Sequence, residues 1–159
     1  MAEIYHLPDR VLSLLDTVAE ATRLETDRPL FVPGSPAPQG SKRHVGRGIL
    51  IESSKAVGPW RERIALAAHR HGWPLRAGAV AITLEFVMPR PKSTPKTYTP
   101  PAIKRPDADK LERAVLDALT GIAFVDDSQV TTCYRRKRLA EIGETPGVRI
   151  SIADDTEEA

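Results

Sequence analysis

Asp107 and Asp109 stand two residues apart, and Asp126 and Asp127 stand side by side a short apolar stretch later. Hard divalent cations take oxygen ligands, and Mg²⁺ uses only a few carboxylates while keeping waters and substrate phosphates. Arg105, Lys110 and Arg113 are interleaved with these acids, so cations for a phosphate lie beside ligands for a metal. The chemistry this pattern points to is metal-assisted attack on a phosphodiester, with two acidic clusters separated by one short helix converging on a common ion.

The element that positions the acids can be read from its periodicity. Leu111, Ala114, Val115, Ala118 and Leu119 fall at i, i+3, i+4, i+7 and i+8, the apolar stripe of a helix lying on a sheet. Pro106 pushes Arg105 into an extended conformation, Asp107 or Asp109 is a natural N-cap, and Gly121 suits the stop. Simpler roles exist for each acid. An Asp before a helix caps it, Asp126-Asp127-Ser128 makes a turn, and Asp117 can pair with Arg113 one helical turn earlier. Capping accounts for one of Asp107 and Asp109, and turn chemistry for one of Asp126 and Asp127. The remaining acids need another purpose.

The run from Arg105 to Val130 resembles the signature of the RusA family of Holliday junction resolvases, which are structure-selective endodeoxyribonucleases. That signature reads Asp-x-Asp-Asn-x-x-Lys, then Leu-Asp-Ala-Leu, then an apolar stretch and Asp-Asp-Ser-Gln-Val. Asp107, Asp109, Asp117, Asp126 and Asp127 match it in type and spacing. The segment Phe31–Arg43, apolar and then Pro/Gly-rich and basic, is similar to the family's opening, and the likeness spans about residues 28–153. Two positions depart from it: Lys110 replaces the Asn, and Arg113 replaces the family's functional Lys. An Arg still grips a phosphate bidentately, but its guanidinium does not give up a proton at ordinary pH.

The resemblance implies a Mg²⁺-dependent enzyme, with Mn²⁺ as a substitute metal, that cuts four-way DNA junctions in recombination and repair. It implies a homodimer with two sites about a two-fold axis and a cytoplasmic, bacterial or phage-encoded protein. Asp107, Asp109 and Asp127 are the expected metal and catalytic carboxylates, with Asp126 next in rank and Arg113 as the catalytic cation. Two other functions compete: a branched-DNA-binding protein of the same fold with weak or lost cleavage, and a Mg²⁺ phosphoryl-transfer enzyme acting on nucleotides. The second lacks a Gly-rich phosphate loop.

A chain of 159 residues, 41% hydrophobic and 28% charged, predicts one domain with a real core. No apolar run reaches the roughly 18 residues of a membrane span, and the amino terminus lacks a secretory pattern. A single cysteine, Cys133, excludes an internal disulfide, and the four histidines show no zinc spacing. Net charge is +2, but residues 154–159 hold four acids and no base, so residues 1–153 carry +6. The bases cluster at Lys42, Arg43 and Arg47, and at Arg135–Arg138. Consecutive strand residues face opposite ways, so not all of the second cluster can serve one surface. Lys42, Arg43, Arg47, Lys96, Lys104, Lys110, Arg135 and Lys137 are the expected phosphate contacts.

The remaining pattern predicts an α/β (α+β) domain with a mixed sheet flanked by helices. Strands are expected at 29–33, 48–52, 79–88, 129–139 and 147–153. One helix is expected from Pro59 to His71 with Trp60, Ile64, Ala67 and Ala68 inward, and an additional amino-terminal one over 8–25. The organisation is then a helical extension (1–27), a nuclease domain (28–153) and an acidic tail (154–159). Residues 89–106 hold six prolines and five Lys or Arg with no acid. Such a chain joins neither sheet nor helix, and it reads as a mobile basic arm delivering into Asp107, with Tyr98 available to stack on a base.

Overall fold

The computed structural model describes residues 28–40 and 55–155, the backbone of 42–44 and 50–52, and Ser13, Leu14 and Thr17. Most of the expected amino-terminal helix lies outside these residues, although the three described there are helical. The strands are β1 (Leu30–Pro33), β2 (Lys42–His44), β3 (Leu50–Glu52), β4 (Val80–Met88), β5 (Val130–Leu139) and β6 (Gly147–Asp154). The helices are α1 (Val57–His71) and α2 (Ala108–Leu119). β1, β6, β4 and β5 form one mixed sheet in that order, and β2 and β3 pair separately.

β4 and β5 run parallel while β1 and β4 both run antiparallel to β6. A parallel pair needs a long crossover, and here it is the basic arm plus α2. One sheet face is apolar: Val80, Ile82, Leu84, Phe86 and Met88 alternate along β4, joined by Val148, Ile150 and Ile152 from β6. α1 and α2 cover this face with Trp60 and Ile64, and with Leu111, Val115 and Leu119. Trp60 is therefore core, and the apolar stripe of α2 is buried as its spacing predicts. Gly147 is required where β1 meets β6, since a Cβ there would lie 2.3 Å from the Val32 carbonyl oxygen.

The elements correct two details. A short strand, β2, occupies part of the basic opening that its Pro/Gly content presented as irregular. β6 runs through Asp154, whose carboxylate pairs with the buried Arg76 at 3.1 Å, while Asp155 accepts a bond from the Thr131 hydroxyl. The expected tail thus begins inside the sheet. His71 is half-buried, bonded to the Arg28 carbonyl at 3.0 Å and packed edge-on against Trp73.

Candidate active site

α2 carries the first acidic pair at its mouth. Asp107 occupies the N-cap position with extended backbone, yet its side chain makes no capping bond. It lies instead 3.4 Å from the Lys110 ammonium, with about half its side-chain surface exposed. Asp109, in the first turn, forms no hydrogen bond or ion pair among the described residues. Arg113, one turn further along that face, is exposed and equally unpaired among them. The pairing expected between Arg113 and Asp117 is replaced by a contact between α1 and α2, Arg61 to Asp117 at 3.6 Å. Asp117 thereby links α2 to α1.

The second acidic pair sits in a single 3₁₀ turn, Asp127–Gln129. Asp126 caps it: its carboxylate accepts from the Ser128 amide at 2.9 Å, and the Gln129 side chain accepts from the Asp126 amide at 2.9 Å. The Ser128 hydroxyl and amide hold the Asp126 carboxyl below the usual range. Gln129 also donates to the carbonyls of Arg76 and Gly78, at 3.0 and 2.7 Å, which fixes the turn to the loop before β4. The spacing Asp-x-x-Gln is itself a capping-box signature, and it was available in the sequence. Asp127, beside this cap, is exposed, and its side chain forms no bond among the described residues.

These two groups do not converge within one chain. Lys137, near the carboxyl end of β5, donates to the carbonyls of Lys104 and Pro106 at 2.9 and 2.8 Å, and Arg135 bonds Glu112. α2 therefore runs antiparallel to β5, with Asp107 at the carboxyl end of that strand and Asp127 at its start. A 12-residue helix separates the pairs by about 18 Å. Consistent with this, no three acidic, histidine or cysteine side chains gather into a metal cage among the described residues. The expectation of convergence within one chain fails because the crossover helix lies along β5 and delivers its two ends to opposite ends of that strand. The donors themselves fit a hard divalent cation: three exposed carboxylates, Asp107, Asp109 and Asp127, none consumed by capping.

The cations separate by face. Arg135 and Lys137 point to the helix side of the sheet, the first toward Glu112 and the second toward the end of the arm. Arg136 and Arg138 point to the opposite face, where with Arg149 they surround Glu85. Lys110, Lys104 and Lys96 are exposed near or on the arm. The side chains of Lys42 and Arg43, and Arg47 as a whole, lie outside the described residues. The Gln39 amide nevertheless bonds the Lys110 carbonyl at 2.9 Å, so the basic opening approaches the first turn of α2. Cys133 is half-buried and its thiol is pushed up to about 11 by burial and the neighbouring Glu112, which suits a structural residue.

The arm is tied down where the sequence pictured it as mobile. Arg90 donates to the carbonyls of Pro95, Tyr98 and Ala140 and to the Thr99 hydroxyl, and that hydroxyl bonds Glu141. Composition marked Arg90 as one of five arm cations, and only the fold gives it this internal role.

Residues 33–153 match the family model for endodeoxyribonuclease RusA. No curated protein matches the sequence.

Proposed function

Because the chain belongs to the RusA endodeoxyribonuclease family, we propose that it is a Mg²⁺-dependent resolvase of four-way DNA junctions acting as a homodimer. Each site of that dimer joins Asp107 and Asp109 of one copy to Asp127 of the other. As a member of the family the chain is an enzyme that hydrolyses DNA phosphodiesters at Holliday junctions, with dependence on a divalent metal. No helix among the described residues is long and apolar enough to cross a membrane, and DNA as substrate accords with a cytoplasmic enzyme.

The observation that carries the two-copy site is the separation of the acidic pairs by the length of α2. Three exposed carboxylates, of which only Asp107 has an ion-pair partner, Lys110, share one role in the family signature but no common location in a chain, and a second chain would bring them together. A two-fold axis then produces two equal sites, as cuts on two strands require. A bound Mg²⁺ would lower the pKa of its water and shield the scissile phosphate. Asp107 and Asp109 hold their positions through the N-terminal geometry of α2, and Asp127 through the Asp126–Gln129 cap. Arg113, one turn from Asp109, binds a phosphate oxygen and stabilises charge as it develops. Lys104, Lys110 and the opening segment hold phosphates outside the site, so affinity falls steeply with salt.

The test is cleavage of a four-way junction beside a linear duplex, with and without Mg²⁺. Junction-selective, Mg²⁺-dependent cutting is expected, reduced by roughly 10² or more in Asp109→Asn. Unaltered cutting by Asp109→Asn would remove this residue from the site. Tight junction binding with no cutting in Mg²⁺ or Mn²⁺ would establish a binding protein in place of a resolvase.

A further inference from the structure

We propose that the cavity between the proline-rich arm and the carboxyl ends of β4 and β5 receives one unstacked nucleobase of the DNA being cut. The inference rests on the junction-cutting function above and adds a substrate subsite to it. The cavity encloses about 420 Å³, inside the roughly 300–1,000 Å³ typical of small-molecule sites. Its floor is Met88 and Leu139, the last residues of the two parallel strands. Open α/β sheets place ligands outside the carboxyl ends of such strands. Five prolines between 89 and 101 line the walls. Their rings and the aliphatic floor offer contact area without polar demand, which suits the face of any base.

Charge identifies the occupant. Lys104 and Arg105 line the cavity and are exposed to solvent. A purely apolar ligand would have no use for two cations there, and a simple anion would leave the apolar floor unfilled. A nucleotide within a strand has both parts, an apolar base for the interior and phosphates for the rim. The cavity is also preformed. Arg90 fastens the arm from within, and the Lys137 ammonium fixes the carbonyls of Lys104 and Pro106 at the rim. Pro106 leads directly into Asp107, so a base held here brings its strand to the acidic pair. Unstacking costs least where pairing is already disturbed, as at a branch point.

Junctions carrying 2-aminopurine at successive positions beside the crossover test this, with Ca²⁺ replacing Mg²⁺ during the fluorescence measurement. Binding of the natural protein should raise the fluorescence at one position on the cut strand. Ala102→Trp and Thr94→Trp, which fill the cavity, should abolish that rise and weaken junction binding roughly tenfold, with thermal stability and duplex affinity retained. No rise at any position, from a protein that binds and cuts junctions, would overturn the base subsite and leave the resolvase function standing. A rise that persists in both filled variants would also overturn it. A persisting rise with loss of the dimer in those variants would show that a second copy occupies the cavity. A protein that neither binds nor cuts junctions would refute the resolvase function and the subsite with it.

Discussion

Asp107 holds the N-cap of α2 without capping it, and its carboxylate, paired only with the exposed Lys110, is not used by the helix it begins. Asp126 is the opposite case, with its oxygens engaged by the turn it begins. Arg113 stands where the family has a functional lysine, and its guanidinium binds a phosphate without serving as a ready proton donor. Arg113→Ala should lower the junction-cutting rate by roughly 10²-fold, while the salt slope of binding shifts by no more than about one unit. Arg113→Lys should keep or raise the rate if an amine is useful there. Normal cutting by the alanine variant would end the carry-over of the lysine's role. Lys137 was grouped with the phosphate contacts on charge alone, but its ammonium is occupied by two carbonyls beside the acidic pair. Lys137→Met should therefore reduce stability by roughly 1–2 kcal/mol, seen as a Tm lower by several degrees, and slow cleavage without altering the salt slope. A slope reduced by about one unit would return Lys137 to the phosphate contacts.

The elements show what pattern alone can carry. The stripe from Leu111 to Leu119 and the alternation in β4 specify burial by period, so α2, the strands of the main sheet and the core were legible. The acids were legible by type and spacing. Which end of the sheet each acid reaches was not, because periodicity gives a helix its face and says nothing of the direction in which it crosses. The internal bonds of Arg90 and Lys137 were hidden for a related reason: a cation's partners are fixed by distant backbone carbonyls, which leave no mark in composition. The connection from β5 to β6 has a similarly hidden clamp. Arg138 bonds Glu144 through both terminal nitrogens at 2.6 Å and Glu85 at 3.0 Å, tying the crossing loop to the central strand. The Arg138 guanidinium holds the Glu144 carboxyl down to about 2, from an ordinary 4.5. A depressed carboxyl stabilises the fold fully above its unfolded pKa, and this contribution disappears as pH falls through the folded value. Urea unfolding between pH 5 and 2 should show stability falling with pH, and Glu144→Gln should flatten that limb. With both side chains partly exposed, the loss at neutral pH is about 1 kcal/mol after solvent screening. An unchanged limb would mean the pair contributes nothing.

At the scale of the whole molecule, the proposed two-copy site would make the subunit and the active site different units. If each site takes Asp107 and Asp109 from one chain and Asp127 from its partner, two inactive variants can rescue one another. In a mixed dimer of Asp109→Asn and Asp127→Asn, both substitutions fall in the same site. The other site receives its Asp107 and Asp109 from the Asp127→Asn chain and its Asp127 from the Asp109→Asn chain, so it is intact. Unfolding and refolding the two inactive proteins together should produce mixed dimers as about half of the population. Those dimers should nick one strand of a junction without completing resolution, since the second site remains dead. If all the carboxylates of a site came from one chain, every site in the mixture would carry a substitution and no nicking would return. Denaturing gels of a junction with each strand labelled read the difference directly. Light scattering on the same sample supplies the control, because a monomeric mass at micromolar concentration would leave no partner to complete the site. Recovered nicking would place the axis of the dimer where α2 of one chain faces the Asp126–Gln129 turn of the other. An absence of nicking in a proven mixed dimer would require the two ends of α2 to serve separate purposes.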